Sequence, residues 1–153
     1  MGKISMGRVI LGGLVAGIVI NIMEGVMHGV IVANRDADML KALGLPPGGS
    51  TNEIIALNVW GFVLGILTVW LYAAIRPRMG AGPKTAVCAG LFMWAATSMM
   101  GAAIPQIIGV YHMDQTVMNV GYELVMLALA GLAGGAIYKE ESATSAQSSA
   151  ARA

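Results

Sequence analysis

Residues 9–33, with the sequence VILGGLVAGIVINIMEGVMHGVIVA, decide the fold class of this chain. The stretch is almost continuously apolar, and it exceeds the about 20 helical residues that cross a hydrocarbon core about 30 Å thick. Three further apolar runs of sufficient length follow it: Ile54–Ile75, Thr85–Ile104 and Val117–Tyr138. We therefore predict an all-α, polytopic membrane protein in which four transmembrane helices, the first over Val9–Ala33, form a bundle within one domain, residues 1–138.

The composition agrees with a membrane environment. Of the 153 residues, 57% are hydrophobic and 11% are charged, whereas the charged share of a soluble domain is about 25%. The single cysteine, Cys88, excludes an intrachain disulfide and a CxxC redox pair. Residues 139–153 are small, polar and without periodicity, which predicts a disordered cytoplasmic tail.

The basic residues are distributed unevenly along the chain and predict its orientation. Seven of the nine precede helix 1, lie between helices 2 and 3, or follow helix 4: Lys3, Arg8, Arg76, Arg78, Lys84, Lys139 and Arg152. Only Arg35 and Lys41 lie on the other side. By the positive-inside rule, both termini and the loop between helices 2 and 3 are expected on the cytoplasmic side of the membrane. The first apolar run is too long for the apolar core of a signal peptide, about 7–15 residues, so we expect it to be retained.

Small and polar residues form a stripe along each predicted helix. On helix 1, Gly13, Gly17, Asn21, Glu24 and His28 follow at helical spacing. Similar stripes occur on the other three helices: Asn58, Gly61, Gly65, Thr68 and Tyr72; Cys88, Ala95, Ser98, Ala102 and Pro105; Asn119, Glu123, Ala130 and Gly134. Because small residues let helix backbones approach closely, these stripes are expected to face the interior of the bundle.

The polar members of these stripes converge on one level of the predicted bundle. Counting 1.5 Å per residue, Glu24 and Glu123 both lie about 10 Å inside the external boundary. An isolated ionised carboxylate at that depth costs several kcal/mol, so each must be protonated, paired or hydrated. The predicted proton- or ligand-binding residues are Asn21, Glu24, His28, Asn58, Asn119 and Glu123.

Two functions from different classes are compatible with this cluster. The first is proton-linked or solute-linked transport through a site open to the outside. The second is a structural or accessory subunit of a membrane assembly, in which the polar cluster is a hydrogen-bonded core that fixes the register of the helices. The Gly-x3-Gly pairs at Gly13/Gly17, Gly25/Gly29 and Gly61/Gly65 could bind another copy or a partner membrane protein. No nucleic-acid partner is expected.

Metal or haem binding is a lesser alternative. Met27–His28 and His112–Met113 place thioether and imidazole groups on the external side, and copper binds ligands of these types. His28 and His112 are also the only histidines, and hence the only candidates for bis-histidine haem ligation. Neither the spacing of the Met–His pairs nor that of the two histidines is diagnostic of a copper or haem site, so we expect no cofactor. The sequence contains no nucleophile–base signature, HExxH motif or phosphate loop, so it does not indicate an enzyme.

The loop after helix 1 predicts a short interfacial helix. Asp36 is expected to cap it, and Gly44 is expected to end it. Ser50 and Glu53 then form the S-x-x-E pattern of a capping box at the start of helix 2.

Two segments carry a resemblance to known proteins. GGLVAGIVINIMEGVMHGVI (12–31) and WLYAAIRPRMGAGPKTA (70–86) resemble small, four-helix bacterial membrane proteins of uncharacterised activity. The similarity covers the first two helices and the loop that follows them. It implies a location in the bacterial inner membrane, and it implies no activity and no site residues.

Overall fold

The computed structural model describes residues 4–46, 50–109 and 112–139, and these residues form an all-α bundle. Among the described residues, four helices are long and apolar enough to cross a membrane: Met6–Ile31, Thr51–Met79, Pro83–Ile107 and Met113–Ile137. This confirms the predicted all-α class and the number of candidate spans, and it indicates a multi-pass membrane protein. The predicted disordered tail, apart from Lys139, lies outside the described residues.

Two of the four spans contain a π-helical segment. The elements in chain order are α1 (Met6–Val26), π1 (Met27–Ile31), α2 (Ala33–Ala42), α3 (Thr51–Met79), α4 (Pro83–Trp94), π2 (Ala95–Met99), α5 (Met100–Ile107) and α6 (Met113–Ile137). The prediction that helix 1 runs as one regular helix to Ala33 is therefore wrong. Its α-helical part ends at Val26, a π-helical turn follows over Met27–Ile31, and Val32 is the C-cap.

The helix ends follow local capping chemistry more closely than hydropathy. Helix α3 begins at Thr51 because the predicted capping box forms: the Ser50 hydroxyl accepts from the Glu53 N–H (3.3 Å), and Glu53 Oε2 accepts from the Ser50 N–H (2.7 Å). It continues beyond Ile75 to Met79 and ends at Gly80, whose positive φ of 84° favours glycine. The apolar runs marked the central parts of the helices but not their polar first and last turns.

The short interfacial helix also forms, as α2, with one correction. Val32, and not Asp36, occupies its N-cap position, so the predicted capping role of Asp36 is wrong. At the other end, Gly44 adopts a φ of 72°, and the Leu45 N–H donates to the Leu40 carbonyl (2.9 Å). The prediction that Gly44 ends this helix is confirmed.

Glycines set the distance between neighbouring helices. Helix α1 packs against α3 and α6, α6 also packs against α4, and α1 and α4 do not meet within the described residues. Gly65 of α3 faces the backbone of Gly13 and Gly17 on α1, and a Cβ at Gly12 would lie 2.7 Å from the Gly134 carbonyl of α6. A Cβ at Gly131 would lie 2.5 Å from the Ala86 carbonyl of α4. The predicted inward-facing stripes are thus confirmed at Gly13, Gly17, Gly65 and Gly134, and Gly12 and Gly131 add contacts outside those stripes.

Aromatic side chains close the bundle at the end where α3 and α6 finish and α4 begins. Tyr138 is buried, with 3% of its surface exposed, and meets Tyr72 edge to face at a centroid distance of 6.0 Å. The Arg76 guanidinium carbon lies 5.6 Å from the centre of the Tyr138 ring, a cation–π arrangement. The Tyr72 hydroxyl accepts from the Gly82 N–H at 3.3 Å. We call this end, which carries Arg76 and Tyr138, the aromatic end.

Candidate functional site

A cavity of about 310 Å³ lies at the opposite end of the bundle, where π1, π2, α5 and α6 meet. Its lining is mainly polar or small: His28, Thr97, Ser98, Gly101, Ala102, Pro105, Thr116, Asn119, Val120 and Glu123. Only Val120 and the Pro105 ring contribute larger apolar groups. This lining contrasts with the aliphatic and glycine packing near the aromatic end, so this cavity is the candidate site.

Both π-helical segments border the cavity. π1 carries His28, and π2 carries Thr97 and Ser98. A π-helical turn holds one more residue than an α-helical turn, so it redirects a side chain while the flanking helices keep their packing. Pro105 adds a third irregularity, because it has no N–H to donate to the carbonyl of Gly101. Three departures from α-helical hydrogen bonding, at π1, π2 and Pro105, thus border the cavity.

His28 bridges two carboxylates. Its Nδ1 lies 2.7 Å from Asp36 Oδ2, and its Nε2 lies 3.3 Å from Glu24 Oε2. A carboxylate only accepts hydrogen bonds, so both ring nitrogens donate when His28 is an imidazolium between the two acids. The His28 side chain is 52% exposed. It therefore connects the surface at this end with the cavity.

The short helix α2 is tied to the same region. Asp36 bonds His28 of π1, and the Arg35 guanidinium donates to Asn119 Oδ1 of α6 at 3.4 Å. Asn119 lines the cavity. Two neighbouring residues of α2 thus hold it to two different spans beside the cavity.

Glu123 supplies a carboxylate to the cavity wall, and Ser98 lies beside it. Ser98 is 6% exposed, and its buried Oγ makes no hydrogen bond within the described residues. The two threonine hydroxyls of the wall are already used as donors: Thr97 donates to the Met93 carbonyl (2.8 Å), and Thr116 donates to Gln106 Oε1 (2.5 Å). The wall therefore combines one carboxylate with hydroxyl oxygens whose lone pairs are free.

The structure separates the six predicted residues into two groups. His28, Asn119 and Glu123 line the cavity, and Glu24 is joined to it through His28. Asn21 and Asn58 form another contact, in which the Asn21 amide donates to the Asn58 carbonyl at 3.1 Å. The exposed Asn58 side chain donates to Ile54 of its own helix (2.8 Å). This second pair joins α1 to α3 and does not line the cavity.

The candidate copper and haem ligands are not assembled into one site. Met27 is 3% exposed and packs inside the bundle, whereas His112 and Met113 are exposed at the start of α6. Both nitrogens of His28 face carboxylates. Within residues 4–46, 50–109 and 112–139, no group of three or more His, Cys, Asp or Glu side chains could hold a metal ion.

Several residues of the site were not predicted from the sequence. Asp36 and Arg35 were assigned to a loop helix, and Ser98 was placed on the helix 3 stripe but not among the ligands. Two further bonds support the wall: the Tyr122 hydroxyl donates to the Met23 carbonyl (2.7 Å), and Trp94 Nε1 donates to the Val120 carbonyl (2.8 Å). Tyr122 directly precedes Glu123, so a search of the sequence neighbours of Glu123 would have found it. No sequence signal marks the two π-helical turns.

Comparison of this chain with protein-family models, with curated proteins and with solved structures finds no match.

Replacing Asp36 with asparagine is expected to loosen α2 without unfolding the bundle. The change removes one carboxylate from His28, and partly exposed pairs of this kind contribute up to about 1 kcal/mol. We expect amide hydrogen exchange in α2 to rise about fivefold, in line with that free energy. Asp38→Asn, an exposed residue of the same helix, is the control. Equal exchange rates in the two variants would show that the Asp36–His28 contact does not hold α2.

Proposed function

We propose that this chain is a small inner-membrane protein of a bacterium that binds a small polar solute in the cavity and couples its passage to a proton on Glu123. The distribution of basic residues supports cytoplasmic termini, with Arg8, Arg76, Lys84 and Lys139 at the aromatic end. With that orientation the cavity opens toward the external side. Solutes and protons from the external side therefore reach this site first.

The observation that carries this proposal is the cavity of about 310 Å³ whose wall brings Glu123 together with His28, Asn119 and Ser98. A polar core that only fixed the register of the helices would close such a space with direct hydrogen bonds, because an unpaired buried polar group costs about 1–3 kcal/mol. Here the Ser98 Oγ is buried beside the Glu123 carboxylate, and a cavity remains next to them. A cavity with several polar groups in its wall supports a binding site.

The cluster around His28 offers a route for protons. The imidazole lies between the surface at this end and the cavity, and its nitrogens contact Glu24 and Asp36. Histidine can act as a proton shuttle, because one ring nitrogen can release a proton while the other takes one up. A proton taken up at this end can therefore be passed from the Glu24–His28–Asp36 cluster toward Glu123, which shares the cavity wall with His28. Ionisable groups within a span commonly form such relays.

One chain with four spans is small for a transport unit, and a second copy would contribute further residues to the lining of a transport pathway. Four of the six glycines in the Gly-x3-Gly pairs are used inside the chain, between α1 and α3. Gly25 and Gly29 are exposed, and no atom lies within 4 Å of a Cβ built on either of them. This pair is the interface we assign to a second copy.

Flux measurements in proteoliposomes test the transport proposal. The full chain is reconstituted with an internal pH-sensitive dye and exposed to gradients of protons, sodium, potassium, glycine and glycerol. We expect a dye response to at least one gradient that protein-free liposomes do not show. Glu123→Gln should slow this response by about tenfold or more, because the exchangeable proton is removed. Asp114→Asn, an exposed acid in the first turn of α6, should behave like the wild type.

The same measurements can contradict the proposal. If the wild type and protein-free liposomes respond alike to every gradient, transport by the isolated chain is excluded. A response that Glu123→Gln and Asp114→Asn leave equally intact would exclude the role of Glu123 while retaining transport.

An accessory role in a larger membrane assembly is the second candidate. An apolar groove lies on the outside of α4, π2 and α5, lined by Phe92, Ala95, Ala96, Met99, Met100 and Ala103. This groove is a surface on which another membrane protein could pack. Purification in mild detergent followed by native mass spectrometry distinguishes the candidates. A stable hetero-complex that survives Glu123→Gln unchanged would favour the accessory role.

A further inference from the structure

We infer that the cavity beside Glu123 binds a monovalent, oxygen-preferring cation, of the class of Na⁺, K⁺ or NH₄⁺. This inference rests on the proposed function only in using the same cavity, and it concerns binding and not flux. It depends on which atoms the wall presents, on the charges around it, and on the irregular helical turns that border it.

The wall presents lone pairs. The hydroxyl protons of Thr97 and Thr116 are donated to Met93 and Gln106, so their oxygens can only accept from, or coordinate, a ligand. The Ser98 Oγ lies buried beside Glu123, whose carboxylate only accepts hydrogen bonds. The Arg35 guanidinium is directed to Asn119. Such a lining suits a cation better than an anion.

The carbonyl of Gly101 is a further oxygen at this level. Pro105 removes its α-helical donor, and both residues line the cavity. Irregular helical segments in membrane proteins commonly direct backbone carbonyls to bound cations. The π-helical turn at Ala95–Met99 lies directly before this stretch. The sequence thus combines two departures from regular hydrogen bonding next to a single carboxylate.

The local charges leave one negative charge to be balanced. The carboxylates of Glu24 and Asp36 are matched by the imidazolium of His28, which bonds both, and by the guanidinium of Arg35. Glu123 is the remaining charge facing the cavity, and no ionisable side chain of π2 or α5 lines it. One monovalent cation neutralises Glu123, whereas a divalent cation would leave an excess positive charge. Ca²⁺ sites normally provide several carboxylates.

The nature of the ligands also disfavours a soft metal. Both His28 nitrogens face carboxylates, and no thioether or thiol belongs to the wall. Copper prefers sulfur and nitrogen ligands, while carboxylate, hydroxyl and carbonyl oxygens suit hard cations. A bound cation and a proton exclude each other on Glu123, so binding of the cation releases the proton.

Sodium-23 NMR on the purified full chain in detergent tests the inference. At constant ionic strength maintained with choline chloride, we expect saturable broadening of the sodium signal that K⁺ or NH₄⁺ reverses. Glu123→Gln should abolish the broadening, and Ser98→Ala should weaken the affinity by about tenfold. Asp114→Asn should leave it unchanged. Titrations with KCl and NH₄Cl rank the three ions, and CaCl₂ tests the preference for single charge.

Three results would overturn the inference: no saturable broadening in the wild type, equal binding by Glu123→Gln, or tighter binding of Ca²⁺ than of all three monovalent ions. If Glu123→Gln does not fold, as judged by circular dichroism, unchanged binding in Ser98→Ala and Thr97→Val together overturns it instead. The binding experiment and the flux experiment test the two proposals independently. Cation binding without flux contradicts only the transport proposal, and flux of glycine or glycerol without cation binding contradicts only this inference.

Discussion

Replacing Gly65 with leucine is expected to separate α1 from α3 and to lower the free energy of unfolding by about 3 kcal/mol or more. A Cβ at Gly65 would collide with the backbone nitrogen of Gly17 and would lie 2.5 Å from the Gly13 carbonyl oxygen. Backbone atoms cannot rotate aside, as the end of a flexible side chain can, so the helices themselves must move apart. Unfolding in increasing dodecyl sulfate, followed by circular dichroism, measures the loss.

Gly121→Leu is the matched control for this prediction. Gly121 lies within α6, is exposed, and has no atom within 4 Å of a built Cβ. Leucine has a higher helix propensity than glycine by about 1 kcal/mol, so this variant should be as stable as the wild type or slightly more stable. Similar destabilisation of both variants would contradict the close backbone packing between α1 and α3.

Deleting Ala96 is expected to remove the site while the bundle remains folded. Ala96 is an exposed residue of the π-helical turn Ala95–Met99. Since that turn holds one residue more than an α-helical turn, the deletion converts it to a regular α-helix and leaves the flanking phases of α4 and α5 intact. The side chains of Thr97 and Ser98 are then rotated away from the cavity. We expect near-normal helix content and no saturable sodium broadening.

A deletion elsewhere in the same span provides the contrast. Leu91 is also exposed, but it lies in the regular helix α4. Its removal rotates everything on one side by about 100°, so the packing of Gly90 against Leu127 or the lining at Ser98 must be lost. We expect this variant to aggregate or to be strongly destabilised. If the two deletions were equally tolerated, or equally damaging, the π-helical turn would not have the role assigned to it.

The fold was predictable because the bilayer imposes few solutions. Apolar runs of sufficient length specify helices, and glycine at every fourth position specifies which side of a helix meets another. The stripe through Gly13 and Gly17 faces the interior of the bundle as predicted, where it meets α3, and the capping box at Ser50 formed as expected. These features depend on residues close together in sequence, which is why one sequence was enough.

The candidate site was only partly predictable, for a physical reason. Periodicity assumes a constant rotation per residue, and that assumption fails at π1 and π2. The i, i+4 spacing of Glu24 and His28 does give their contact, whereas the neighbours of Ser98, which lies in π2, could not be inferred from helical spacing. The pairing of His28 with Asp36 also depends on how the chain folds back after Val32, and hydropathy carries no information on that. Asn21 and Asn58 shared the predicted stripes, yet they bond each other at the interface of α1 and α3.

The glycine contacts described above have a mechanical consequence. Between the cavity and the aromatic end, α1 meets α3 and α6 through main-chain atoms, and α4 meets α6 in the same way at Gly90 and Gly131. Main-chain atoms at these contacts cannot rotate aside as a side chain can. Any passage through that half must therefore be opened by shifting whole helices. The seam between the hairpin of α1 with α3 and that of α4 with α6, joined where Gly12 touches Gly134, is the natural place for such a hinge.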